Sequence, residues 1–383
     1  MEICAIICEF NPFHNGHAYL IDKIKAQGKF DGVLCIMSGS FTQRGDIAVN
    51  DKFTRACHAV KGGADCVIEL PAPFAVAPAQ IFAEGAIKLL TSIPAVKAIA
   101  FGCEKKTDFM RAARIMSDES GKFRERLNYF LAQGESYAKS YSRAFCEVSG
   151  EDVSGSPNNI LAAEYAKAAL RYRPDLHLFP VERVGGGYND TEIYEKFSSA
   201  SAIRAHLGEE GAKICLPEYS AADLPVSDSF VDRWNDIMSY ALARATTEQL
   251  IKIFGCGEGL ENKLKSLCTL PADEIISKAT SRRYPSSRIK RILAANALAL
   301  YADDARAMLD GAGYIKPLAV KEDRCDEMFK ELSSSRFPVI VKQRDVQSLD
   351  DISLKMYRRT LFADDVRAVA TGERVYDFTL KKV

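Results

Sequence analysis

Five short apolar runs in the first half of the chain, residues 3–7, 32–37, 66–70, 96–101 and 176–181, constrain the fold more than any other feature. None alternates apolar with polar residues, so each reads as a strand covered on both faces. Helical spacing fills the gaps. Leu20, Ile21 and Ile24 share one side of a helix over 18–25, Asn50 or Asp51 opens another that runs past His58 and Val60 to Gly62-Gly63, and residues 80–90 form a third. Strands alternating with helices predict an α/β protein, a Rossmann-like doubly wound parallel sheet. In such sheets ligands bind at the carboxyl ends of the strands.

The chemistry of this chain falls at those ends. The first strand runs into Cys8-Glu9-Phe10-Asn11-Pro12-Phe13-His14-Asn15-Gly16-His17 and then directly into a helix. Residues i and i+3 share a helical face, so both imidazoles address one object. The free N–H groups and dipole of a helix start favour an anion there, and Gly16 leaves the backbone open to it. Asn15 or Asn11 is the expected cap. The predicted ligand is a phosphate chain. A polar surface pair or half a metal site is the plainer reading of two histidines. Zinc is disfavoured because the spacing is not His-Glu-x-x-His and no cysteine pair completes four ligands.

The second strand ends in the loop 38–46, where Gln43 and Arg44 are expected over the site rather than in an ordinary surface turn. The fourth ends at Gly102. After the breaker 154–157, Asn158 and Asn159 start a helix, either as caps or as amides beside a nucleoside. The strand over 176–181 leads to Arg183-Val184 and the run Gly185-Gly186-Gly187, a weak phosphate-loop signal. Next comes Ser198-Ser199-Ala200-Ser201-Ala202-Ile203-Arg204. Ser199 and Ser201 read as a capping pair or as phosphate ligands, and Arg204, on the face of Ser201, tilts the reading to phosphate because guanidinium binds its oxygens bidentately.

With 51 basic and 51 acidic residues among 383, affinity for nucleic acid must be local. The segment 278–291 is the one candidate. Lys278, Arg282, Arg283, Arg288, Lys290 and Arg291 meet no acidic residue there, and Tyr284 is available for stacking. A solvated face is the plainer reading; contact with an RNA backbone is the functional one. Residues 104–150 read as a charged, solvated helical insertion. A boundary at 208–217 divides an ATP-binding catalytic unit, 1–210, from a mainly helical region, 211–383, with a strand-like stretch at 337–341. Eleven scattered cysteines without a Cys-x-x-Cys pair suit reduced thiols. No signal segment or membrane-length apolar run is seen, so the expectation is a cytoplasmic protein away from membranes, with no obligate protein partner.

The blocks Glu9 to His17, Ser38-Gly39-Ser40-Phe41-Thr42-Gln43-Arg44-Gly45, Phe101-Gly102-Cys103-Glu104, Pro157-Asn158-Asn159-Ile160-Leu161, Arg183-Val184-Gly185 and Glu258-Gly259-Leu260-Glu261-Asn262, with the arginine-rich segment from Arg282, resemble the tRNA(Met) cytidine acetate ligase family. That family lies within the His-x-Gly-His nucleotidyltransferase superfamily. The resemblance implies an ATP-dependent ligase. Acetate attacks ATP to give acetyl-adenylate and pyrophosphate, and the exocyclic amine of the wobble cytidine of elongator tRNA(Met) then takes the acetyl group. It implies catalytic roles for His14, His17 and Arg204. It implies ATP contacts at Ile7, Cys8, Glu9, Phe10, Asn11, Pro12, Phe13, Asn15, Gly16, Leu20, Gly102, Asn158, Asn159, Arg183, Val184, Ser199 and Ser201. Mg²⁺ is expected with ATP, without a dedicated metal cage. Gln43, Arg44, Arg282, Arg283, Arg288, Lys290 and Arg291 are the expected tRNA and substrate contacts. Asp46 stands where the family commonly has Glu, and Ser198 and Ala200 depart from an Ile-Ser-Ser-Thr-x-x-Arg pattern, which puts one hydroxyl contact in doubt. Residue chemistry alone stops at ATP α-phosphate chemistry. It leaves open an adenylyltransferase that joins AMP to a small phosphorylated cofactor precursor, or a non-catalytic binding protein. The long, partly basic second half speaks against the first and the intact His-x-Gly-His and Arg204 against the second.

Overall fold

In the computed structural model, which describes residues 1–104, 106–118, 121–135, 137–150, 157–184, 193 and 196–383, the expected strands and helices are joined in one seven-stranded sheet. The strands are β1 (Ile3–Cys8), β2 (Gly32–Ser38), β3 (Cys66–Leu70), β4 (Val96–Cys103), β5 (His177–Glu182), β6 (Pro317–Val320) and β7 (Lys381–Lys382). Their order is β5-β4-β1-β2-β3-β6-β7. β1 lies at the centre of the five parallel strands, between β2 and β4, so its carboxyl end opens where the chain runs to one side and then the other.

Alternation along β1 shows why the runs are continuously apolar. Ile3 and Ala5 join one buried cluster with Leu34, Ile68, Phe82 and Phe101, while Cys4, Ile6 and Cys8 join a second with Ile21, Ile24, Phe53 and Val60. Helices cover both faces, and a polar residue on either would be stranded. Asp51 settles the choice of cap for the Lys52–Lys61 helix: its carboxylate accepts from the N–H groups of Phe53 at 2.8 Å and Thr54 at 3.1 Å.

Two expectations are corrected. The insertion over 104–150 is not simply solvated. Its helices Phe109–Ser117, Lys122–Ala132 and Tyr137–Ser149 keep Arg111, Arg114 and Arg124 outside but send Phe109, Met116, Phe123, Phe130 and Phe145 into the main core. The stretch at 337–341 makes only an isolated bridge, Ile315 to Val339. The second half contributes instead the two-residue β7 and, beside it, β6, which is antiparallel to β3. Its partner lies about 250 residues away in the chain, beyond the reach of a local pattern.

The helical second half packs on the loop that follows β2. Trp234 is fully buried, its ring centroid 4.6 Å from that of Phe41, and its indole N–H donates to the Gly45 carbonyl at 3.0 Å. A methyl group at Gly45 would come within 2.6 Å of the Ala294 side chain, and φ is +82° there, so glycine is required twice over. Among the described residues no helix is long and apolar enough to cross a membrane. The breaker 154–156 and the run 185–188 lie outside the described residues.

Candidate active site

Between β1 and the Asn15–Lys25 helix the chain turns through Phe10, at φ 47°, a conformation that costs a bulky residue of order 1 kcal/mol. Packing offsets that strain: the Phe10 ring meets His17 edge-on at 4.8 Å and Phe13 at 5.0 Å. Neither Asn11 nor Asn15 caps the helix, which corrects the expectation. His14 is the cap. Its Nδ1 accepts from Gly16 N–H at 3.1 Å, and His17 Nδ1 accepts from His14 N–H at 3.2 Å, a reciprocal capping box. The Asn11 side chain instead accepts from Val49 N–H at 2.8 Å. Asn15 donates from its side chain to the carbonyls of Lys196 and Ile214 at 3.1 Å, tying the helix to the segment that carries Ser199 and Arg204.

The capping box decides the state of both imidazoles. A ring nitrogen that accepts a backbone N–H carries no proton, so each neutral ring holds its hydrogen on Nε2. Burial, with help from the Arg183 and Arg204 charges, pushes His14 down to about 3, and burial with the field of His14 and Arg183 pushes His17 well below the usual histidine range. The two rings stack at 3.6 Å. At physiological pH they are two fixed, uncharged N–H donors.

These rings line a cavity of about 220 Å³ at the end of β1. Of the expected ATP residues, Ile7, Cys8, Glu9, Phe10, Asn11, His14, Gly16, His17, Leu20, Gly102, Asn158, Arg183, Val184, Ser199, Ser201 and Arg204 line it, as do Gln43 and Arg44. Pro12 and Phe13 lie buried beneath it, Asn15 braces it from the side, and Asn159 sits behind its wall. The two asparagines are not caps. Asn159 Oδ1 accepts from Glu104 N–H at 3.1 Å and Asn158 donates to the Glu104 carboxylate at 2.7 Å, so the amide pair binds the loop that follows β4.

Arg204 is held by its own neighbours: one guanidinium nitrogen donates to the Asn11 carbonyl at 2.7 Å and another to Ser201 Oγ at 3.3 Å. Ser199 caps the Ala200–Ala205 helix, accepting from Ala202 N–H at 2.9 Å, and its side chain lines the cavity. The basic segment divides in the structure. Arg282 and Arg283 are exposed and pair with Glu135 at 3.3 Å and Glu258 at 2.7 Å. Arg288 donates to the Gly255 carbonyl and lies over the Tyr284 ring at 4.9 Å. Lys290 and Arg291 turn inward behind the 38–46 loop, where Lys290 pairs with Asp46 and burial pushes Arg291 down to about 10. Burial alone would push the Asp46 carboxyl up, but Lys290 and Arg204 outweigh it and hold it low.

Two residues that build this site gave no sequence signal. Arg55, fully buried, donates to the carbonyls of Glu9 at 2.6 Å, Ser38 at 3.0 Å and Asn50 at 3.0 Å, and to that of Gly39, locking the turns after β1 and β2 together. Lys52, equally buried, reaches the same loop through Asp364, which accepts from Ser40 at 2.6 Å. Both sit on a helix whose apolar positions alone would have been taken as its buried face. Among the described residues no group of three or more His, Cys, Asp or Glu is placed to hold a metal ion.

A central parallel strand, a His-x-Gly-His turn and guanidinium groups around one cavity are the features of a nucleotidyltransferase-type fold, and the family model described as HIGH Nucleotidyl Transferase matches residues 1–379. A tRNA(Met) cytidine acetate ligase of a Thermoanaerobacter species is 35% identical over 97% of this chain and 96% of that protein. The Clostridium novyi protein of the same name is 36% identical over 76% of this chain and 78% of its own length. Crystal structures of Thermotoga maritima TmcAL, apo and bound with alpha-thio ATP, superpose with TM-scores of 0.91 and 0.89 at 25% identity, covering all of both chains. The chain belongs to the tRNA(Met) cytidine acetate ligase family, and it is an enzyme of the ATP-dependent ligase type.

Proposed function

We propose that the chain activates acetate with ATP, releasing pyrophosphate, and passes the acetyl group to the exocyclic amine of the wobble cytidine in elongator tRNA(Met), forming N4-acetylcytidine. The observation that carries this reading is the pairing, in one cavity, of two neutral Nε2–H donors with the cations Arg183 and Arg204, the latter held by Asn11 and Ser201. Attack on the α-phosphate spreads negative charge over that phosphorus and the departing pyrophosphate. Donors and cations already in place stabilise this charge with little reorganisation, and no covalent bond to the protein is needed. His14 and His17 address the α-phosphate; Arg204, Ser199 and Ser201 hold the β- and γ-phosphates; Gly102, Asn158, Asn159, Arg183 and Val184 form the nucleoside side. Mg²⁺ enters as the complex with ATP, since among the described residues no carboxylate or histidine cluster is placed to hold it separately, and the chain works in the cytoplasm.

The second half of the chain, with Arg282, Arg283 and Arg288, takes the RNA, while Lys290 and Arg291, turned inward, support the 38–46 loop. Arg282→Glu combined with Arg283→Glu is expected to weaken tRNA binding about tenfold or more at low salt and to lower the salt slope by about 2. Acetate-dependent pyrophosphate exchange should keep pace with the unsubstituted protein. Filter binding across a salt series checks this, and unchanged affinity returns both arginines to a solvated face. The reading as a whole is tested with purified protein, labelled acetate, ATP·Mg²⁺ and total tRNA. ATP-dependent label recovered as acetylcytidine supports it. Pyrophosphate release only with a small phosphorylated acceptor would favour an adenylyltransferase.

A further inference from the structure

The cavity has two unlike sides. Towards β4 and β5 its wall is Gly102, Asn158, Arg183 and Val184. Towards β2 it is Gln43, Arg44 and Asp46, and behind that loop runs the Ser286–Ala297 helix, with Lys290 on Asp46. Glu9, the residue just past β1, leans to the β2 side: Gln43 N–H donates to its Oε1 at 2.6 Å. Its other oxygen has no hydrogen-bond partner among the described residues, and the side chain lines the cavity. Arg204, Asp46 and Arg44 are the charges that face it, and Arg55 holds its backbone carbonyl from below.

Among the described residues that line that side, no other group is as ready to take a proton. The Nδ1 lone pairs of His14 and His17 are engaged by backbone N–H groups, and guanidinium groups have none to offer. Asp46 is paired through one oxygen with Lys290; against the upward push of burial, Lys290 and Arg204 hold its carboxyl low and make it a weak base, and Glu182 stands on the opposite wall, in β5. Resting on the function proposed above, we propose that Glu9 is the proton acceptor of the second half-reaction. As the cytidine N4 bonds to the acyl carbon of acetyl-adenylate, the acyl C–O bond breaks and its electron pair leaves on the phosphate of AMP. The amine proton passes to the free oxygen of Glu9 and then to solvent. An exocyclic cytosine amine is a poor nucleophile, because its lone pair is delocalised into the ring, and a positioned base compensates for that. Burial, partly offset by the Gln43 N–H and Arg204, raises Glu9 above the usual carboxylate range, which makes it the stronger base.

The variant Glu9→Gln keeps the shape and an acceptor for Gln43 N–H while removing the base. It is to be measured twice: acetate-dependent pyrophosphate exchange without RNA, and single-turnover transfer to tRNA from acetyl-adenylate formed beforehand. Transfer is expected to fall about 10²- to 10⁴-fold, far more than exchange, and the acidic limb of its pH–rate profile should disappear. Equal losses in both steps would place Glu9 with ATP and overturn the proposal, as would transfer at the unsubstituted rate. If the unsubstituted protein exchanges no pyrophosphate with acetate, the proposed function itself falls and takes this assignment with it.

Discussion

Replacing His17 with alanine is expected to lower acetate-dependent pyrophosphate exchange about 10²- to 10³-fold, the usual cost of losing one preorganised donor to a developing oxyanion. The cause is specific to this turn. His17 is neutral and carries its hydrogen on Nε2 because Nδ1 is occupied by the His14 N–H. The substitution therefore removes a donor whose orientation was set by the cap. It also leaves a buried N–H without its acceptor, a cost of about 1–3 kcal/mol, so the melting temperature should fall as well. His17→Asn separates the two effects: its side-chain oxygen takes the place of Nδ1 and should recover much of the stability but none of the rate. Exchange within threefold of the unsubstituted enzyme in His17→Ala would remove this residue from the chemistry.

Lys52→Met carries the largest expected stability effect. Lys52 Nζ contacts the Glu69 carboxylate at 2.9 Å, Asp364 at 2.7 Å and Asp377 at 3.4 Å, all with little or no exposure. Burial works against its charge, but the three carboxylates outweigh that and hold Lys52 protonated well above the usual lysine range. Removing the cation leaves buried carboxylates facing one another, and breaking such a pair costs about 3–5 kcal/mol. The sign of the pH dependence identifies the cause. In the unsubstituted protein burial would raise Asp377, but Lys52 and Lys316 hold it low, so its contribution fades as pH falls towards its folded value. In the variant the crowded carboxylates take up protons more readily folded than unfolded, so the deficit should shrink as pH drops from 8 to about 5.5. Urea unfolding at both pH values measures it, and a pH-independent deficit would point to lost packing instead. Because Ser40 donates to Asp364 at 2.6 Å, the cavity loop should loosen too.

The strands and the His-x-Gly-His turn were legible in the sequence because their signals are local. Ile3 to Ile7 and their counterparts announce a sheet covered on both faces by composition alone, and two histidines three apart announce a shared face. The same reasoning put the loop of Gln43 and Arg44 over the site, since strand ends of a parallel sheet converge, while Arg204 was read from the helical face it shares with Ser201; all line one cavity. It misassigned the helix cap, because asparagine is the better cap in general while here the chain had uses for Asn11 and Asn15 elsewhere, at Val49, Lys196 and Ile214. It read the charges of 104–150 and missed that Phe123 and Phe130 face the core.

What the sequence determined by itself was the kind of sheet, the place of the phosphate-binding turn and the identity of the groups that meet there. Only the tertiary structure decided the protonation of His14 and His17, the free oxygen of Glu9, the inward turn of Lys290 and the burial of Lys52 and Arg55. Each of these depends on a neighbour brought in by packing, as Asp364 is to Lys52 from 312 residues away. Periodicity reports which side of an element is covered; it cannot report which distant group covers it, and it is that group which sets charge, tautomer and reach.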